Sequence, residues 1–102
     1  MSTPRQLVHT EWFDHALQKL GDLPRVDGLL AEELYRLAIY ADLVPLAPGC
    51  RALRVYQTKE FLRRDGHLVR ILIYFVLRDD DVVELQHIEV VAEDMLAKEP
   101  IR

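Results

Sequence analysis

Hydrophobic residues recur along this chain with two different periods, and the change between them falls near residue 50. Phe13, Ala16, Leu17 and Leu20 stand at i, i+3, i+4 and i+7, the spacing of one apolar helix face, and Gly21 follows at the stop position. Gly21 Asp22 Leu23 Pro24 then supplies a turn. Leu30, Leu34, Leu37, Ala38 and Ala41 resume helical spacing among strong helix formers, which predicts a second helix ending before Pro45. Pro45, Pro48 and Gly49 mark a loop. Ahead of this hairpin, Leu7 to Glu11 alternates weakly and reads as a short strand.

From Arg51 the period is two. Leu53 and Val55 alternate with Arg54 and Tyr56; Val69, Ile71, Ile73, Phe75 and Leu77 alternate with Arg70, Leu72, Tyr74 and Val76. Asp65 Gly66 is a turn signal, and Asp79 Asp80 Asp81 leads into a third strand from Val82 to Val91. The predicted architecture is α+β in the order β-α-α-β-β-β: an N-terminal strand, a helical hairpin, then a three-stranded antiparallel meander whose apolar face the hairpin covers. Ala92 to Lys98 adds a short C-terminal helix. Burying Leu53 and Val55 with Ile71, Ile73 and Phe75 collects Arg54, Tyr56, Arg70 and Tyr74 on the opposite face. In the last strand, the parity that turns Val83 and Leu85 inward also turns His87 inward, unless a bulge intervenes.

A length of 102 residues with 50% hydrophobic content fits a single domain over 1–102. The longest apolar run, Val69 to Leu77, contains Arg70 and is too short to span a bilayer, so no membrane partner is expected. Met1 to Thr10 lacks the apolar core of a secretory signal, and Cys50 is the lone cysteine; both point to the cytoplasm.

The formal net charge of −4 hides a segmentation. Between residues 51 and 78, seven bases (Arg51, Arg54, Lys59, Arg63, Arg64, Arg70, Arg78) face only Glu60 and Asp65, whereas both flanking segments are acidic. This middle block suits an anionic partner; equally, the acidic tail can pair with it across neighbouring strands. Two arginines and two tyrosines on one open sheet face form a phosphate-binding and base-stacking surface, or an ordinary solvated face with amphipathic side chains lying flat.

Three stretches carry a resemblance: His9 Thr10 Glu11 Trp12 Phe13 leading into the first helix, Arg51 Ala52 Leu53 Arg54 Val55, and Val69 to Phe75 followed by an acidic turn and Val82 Val83 Glu84 Leu85. With the element order, they make residues 6 to 91 similar to the RelE/ParE superfamily of bacterial toxins, most closely its phage-derived, HigB-like branch. The resemblance implies a toxin of a type II toxin-antitoxin system that cleaves mRNA in the ribosome. Alternatives within the same likeness are a gyrase-directed ParE-like toxin without nuclease activity and a catalytically inactive RelE-like binding scaffold. A cognate antitoxin, the ribosome and mRNA are the implied partners, and a homodimer is open. Arg54 matches the arginine of the family's L-R strand, Arg70 the arginine of its Y-R-I-L-Y stretch, and Tyr74 the closing tyrosine. Val69 stands where an aromatic residue is usual. His87 Ile88 Glu89 Val90 Val91 departs from the basic pair, or arginine and tyrosine, of RNA-cleaving members.

Cleavage by a 2′-hydroxyl needs a base, a proton donor and cations around the phosphate. Arg54 and Arg70 are the candidate cations, Tyr74 positions or stacks, and His87 or His67 is the candidate acid or base. Arg51, Lys59, Arg63 and Arg64 are candidates to grip the nucleic-acid backbone. His67, beside Gly66, also reads as a plain turn residue. His9, His15, His67 and His87 lack paired spacing, so neither metal nor cofactor is expected. Trp12 and Phe13 read as core. Tyr35, Ile39 and Leu43 widen the apolar surface of the second helix, as a partner contact or a broad core face.

Overall fold

Thr10 turns the chain from strand to helix. Its Oγ1 accepts a hydrogen bond from the Phe13 backbone N–H at 3.2 Å and donates one to the Leu85 carbonyl at 2.7 Å, so one residue caps the helix and ties it to the last strand. Acidic Glu11 and Asp14 in the first turn and Lys19 in the last complement the helix dipole. The computed structural model describes residues 3–20, 26–62 and 68–92. In chain order the elements are β1 (Leu7–His9), α1 (Glu11–Lys19), α2 (Val26–Tyr40), a 3₁₀ turn (Ala41–Leu43), β2 (Leu53–Gln57), β3 (Phe61–Leu62), β4 (Leu68–Leu77) and β5 (Val83–Ala92).

The fold is α+β, with one strand and two helices preceding the remaining strands. The sheet is mixed and five-stranded, ordered β1-β5-β4-β2 with β3 also on β4, and so differs from a plain three-stranded meander. Strand β4 runs antiparallel to β2, β3 and β5, while β1 runs parallel to β5. The additional strand follows from Thr58, which is buried where β2 ends. Its backbone N–H donates to the Ile71 carbonyl and its Oγ1 accepts from the Ile71 N–H, holding the chain against β4 until Phe61 and Leu62 pair with it.

Both helices cover one sheet face. Phe13, Leu30 and Leu37 pack with Ile71, Ile73, Phe75, Val83, Leu85 and Ile88 in one cluster. Each large apolar side chain buried this way contributes roughly 1.5–3 kcal/mol. Trp12 is a correction to the sequence reading: the indole is 65% exposed while neighbouring Phe13 is fully buried. Tyr35 and Leu43 are likewise exposed, and Ile39 is half-buried.

Arg5 fastens the layers at the far end. Its guanidinium donates to the Ile39 carbonyl at 2.8 Å and to Asp81 at 2.7 Å, and meets Asp42 at 3.3 Å. This satisfies carbonyls of the last helical turn that have no partner within the helix. Asp81 adopts φ 66° in the β4 to β5 turn, a left-handed conformation that aspartate tolerates better than most residues. Among the described residues no helix is long and apolar enough to cross a membrane. The Gly21 to Pro24 turn, Arg63, Arg64, the Asp65 Gly66 turn and His67 lie outside the described residues. So does the expected terminal helix, apart from Ala92, which belongs to β5.

Candidate functional site

Cross-strand register decides which side chains share a face. Arg54 stands opposite Phe75 and Tyr56 opposite Ile73, so both point to the helix-covered side, while Leu53 and Val55 share the outer face with Val76 and Tyr74. This reverses the expected orientation of β2 and removes Arg54 from the proposed constellation. The inward polar groups are satisfied there, which is why the reversal is tolerated. Arg54 Nη1 donates to the Val44 carbonyl at 2.6 Å, and the Tyr56 hydroxyl donates to Glu33 Oε1 at 2.6 Å. Burial first, and then the hydrogen bond and charge of Glu33, push the Tyr56 phenol well above its ordinary range.

On β5 the register slips by one residue. Phe75 pairs with Leu85 and Tyr74 with His87, leaving Gln86 as an extra residue in the strand. The bulge turns His87 and Glu89 outward and keeps Ile88 at the core, 1% exposed. His87 therefore faces the open side, contrary to the regular-strand expectation. Its ring centroid lies 5.5 Å from that of Tyr74. The Tyr74 hydroxyl donates to Glu89 Oε2 at 3.2 Å, and His87 Nε2 lies 3.2 Å from Glu89 Oε1. When Glu89 is ionised it only accepts, so the second contact is made by the tautomer with hydrogen on Nε2. Burial, followed by the charge and hydrogen bond of Glu89, raises the Tyr74 pKa and keeps the phenol protonated as a donor.

Arg70 joins this face. It stands opposite Val91, and Leu72 stands opposite Glu89, which makes Arg70 and Glu89 diagonal neighbours. Its Nη2 is 3.6 Å from Glu60 Oε1. Thus Tyr74 and His87 come together, Arg70 shares their face four residues along β4 with an ion pair to Glu60, and Arg54 lies on the other side of the sheet. Lys59 and Arg51 are exposed beyond opposite ends of β2, Lys59 at the Arg70 end. Acidic neighbours neutralise part of the basic block: Arg78 meets Asp80, two residues on in the turn, at 2.7 Å and Glu84 of β5 at 3.8 Å.

Because β1 pairs only with Val83 to Leu85, it leaves the rest of that edge of β5 without a described strand partner. Between this edge and α1 lies an open cleft of about 890 Å³, lined by Glu11, Trp12, His15, Lys19, His87 and Glu89 among others. Of the outer cluster, His87 and Glu89 reach this cleft. Among the described residues, no three His, Cys, Asp or Glu side chains group to hold a metal ion.

Sequence reasoning missed Glu89 as a member of the cluster, and it missed the cleft. The first had a readable signal: apolar Val83, Leu85, Ile88 and Val90 are spaced by two, three and two, and the interval of three is the bulge. Compared with known proteins, the chain matches no family model, no curated protein and no solved structure.

Proposed function

We propose that this chain is the toxin component of a type II toxin-antitoxin pair, RelE/ParE-like, which cleaves ribosome-bound mRNA without a metal ion. The observation that carries the reading is the opposition of Tyr74 and His87 on the open sheet face, with Glu89 bonded to both. The α+β order agrees with the fold the resemblance implies.

These groups divide the work of 2′-hydroxyl attack. Glu89 orients the imidazole and holds hydrogen on Nε2, so Nδ1 is the acceptor that takes the 2′ proton. The 2′ oxygen bonds to phosphorus as the bond to the 5′ oxygen breaks, leaving a cyclic phosphate. The departing oxygen takes the Tyr74 proton, and Arg70 faces the charge that grows on the phosphate. Solvent then restores the proton to Tyr74 and removes it from His87. A cognate antitoxin, the ribosome and a cytoplasmic setting belong to this proposal; self-association into a homodimer is compatible with it.

One observation favours a second reading. Glu60 stands near Arg70, and Glu89 occupies the position where RNA-cleaving members of the family this chain resembles carry cations, so a phosphate meets carboxylates on this face. That suits a gyrase-directed toxin, or an inactive binding scaffold, better than a nuclease.

Induced expression in a bacterial host separates them. The nuclease reading expects growth arrest, relieved by an antitoxin encoded in the adjacent frame, and new mRNA 5′ ends inside translated codons that disappear in His87→Ala and Arg70→Ala. Arrest without such ends, together with lost supercoiling activity, favours gyrase. Unchanged growth despite accumulation of folded protein defeats the toxin assignment.

A further inference from the structure

The cleft between α1 and the free edge of β5 contains groups that the cleavage chemistry leaves unused. Trp12, His15 and Lys19 follow at i, i+3 and i+7, which stacks them along one face of α1. An indole 65% exposed beside a cleft presents a flat apolar surface to whatever enters. Glu11, at the start of the helix, adds an exposed carboxylate to the same wall. Glu11, His15 and Lys19 make no hydrogen bond or ion pair among the described residues, so their polar atoms are available to a ligand.

Chemistry narrows what that ligand is. A volume of about 890 Å³ is within the range of small-molecule sites. The indole stacks on a planar ring, the ammonium pairs with a phosphate, and an ionised carboxylate accepts hydrogen bonds through two parallel oxygens. Among the nucleobases, guanine offers two adjacent donors, N1–H and the 2-amino group, on its pairing edge. Adenine and cytosine offer an amino group alone there, and uracil a single imino hydrogen. A peptide strand laid on the edge of β5 would use its backbone groups and give no reason for the aromatic and carboxylate pair.

We propose that this cleft is a nucleotide subsite that takes guanine, stacked on Trp12, with Glu11 accepting its paired donors and Lys19 meeting its phosphate. The proposal rests on the RNA reading of the adjoining cluster and extends it by naming the base held beside the scissile position.

Trp12 is the single tryptophan of the chain, so its fluorescence reports on the cleft alone. The full chain is titrated with GMP, AMP, UMP and ribose 5-phosphate. The expected result is a saturable change with GMP and at least tenfold weaker binding of the other three. Glu11→Gln lowers GMP affinity at least tenfold and leaves UMP unchanged, and calorimetry on Trp12→Ala loses GMP binding while its circular dichroism stays that of the parent. Absence of saturation, or equal responses to GMP and ribose 5-phosphate, overturns the subsite. GMP binding without mRNA cleavage counts against the nuclease assignment and supports the subsite; cleavage without GMP binding does the reverse.

Discussion

Arg54 and Arg70 project from opposite faces of the same sheet. Arg54 shares the core side with Phe75 and donates to the Val44 carbonyl, whereas Arg70 shares the outer side with Tyr74 and lies near Glu60. Two arginines that the alternation of the sequence places on one face therefore stand on opposite sides of the sheet. Arg54→Ala leaves the part-buried Val44 carbonyl without this donor and should cost about 1–3 kcal/mol, read as a lower urea midpoint. Arg70→Ala removes a partly exposed ion pair and should cost under about 1 kcal/mol, and under the proposed nuclease function it should cut RNA cleavage steeply. Equal destabilisation by the two, or cleavage lost through Arg54 in a fully folded variant, would contradict this division.

The outer cluster predicts a split between stability and activity. Tyr74→Phe removes the hydroxyl that Glu89 accepts, but Glu89 is 42% exposed and can turn to water. Stability should change by less than about 1 kcal/mol. Under the proposed nuclease function, cleavage should fall by about two orders of magnitude, the usual contribution of a positioned proton donor. Glu89→Gln keeps the size of the side chain and removes the charge that holds the imidazole, so it should move the pH profile of cleavage. A profile identical to that of the parent would remove Glu89 from the mechanism.

Periodicity exposed the coarse order of this fold because each element has an apolar face to bury. Leu30 and Leu37 on α2, and the alternation along β4, could be read directly from the sequence. The orientation of β2 could not, because Leu53, Arg54, Val55 and Tyr56 offer two apolar and two amphipathic residues of similar bulk. A carbonyl at Val44 and a carboxylate at Glu33, both distant in sequence, decide that Arg54 and Tyr56 go inward. Parallel pairing of β1 with β5 is equally non-local, since it joins Leu7 to Val83 across most of the chain. The cleft depends on that same pairing stopping at Leu85.

Gln86 supplies a prediction about the backbone. It is the extra residue between Leu85, paired with Phe75, and His87, paired with Tyr74. Deleting Gln86 leaves every other residue of β5 on its present face, so the chain should still fold, with a loss of about 1–2 kcal/mol from the changed strand twist. Inserting one residue after Ile88 turns Val90 outward and Glu89 out of reach of Tyr74, and should cost substantially more. Thermal unfolding of the two variants side by side checks the assignment. Greater damage from the deletion than from the insertion would place the bulge elsewhere.

Alkaline stability gives a test of the buried Tyr56 to Glu33 pair. Glu33 is 3% exposed, with Oε1 bonded to Tyr56 and Oε2 without a hydrogen-bond partner among the described residues. Burial and Glu33 together raise the Tyr56 pKa above its ordinary value of 10.0, and Tyr74 is raised in the same direction. Above pH 10 the native state then holds phenolic protons that the unfolded chain has released, so unfolding free energy falls as pH rises. The contribution is fully present below pH 10 and is lost on the alkaline side. Tyr56→Phe should weaken the fold at pH 7 by about 1–3 kcal/mol, because Glu33 loses its donor, and should also flatten the decline above pH 10. The slope that survives belongs to Tyr74, and Tyr56→Phe with Tyr74→Phe should remove most of it. Urea unfolding at pH 7, 9, 10 and 11 measures both effects, and an alkaline slope unchanged in the double variant would show that neither phenol is responsible.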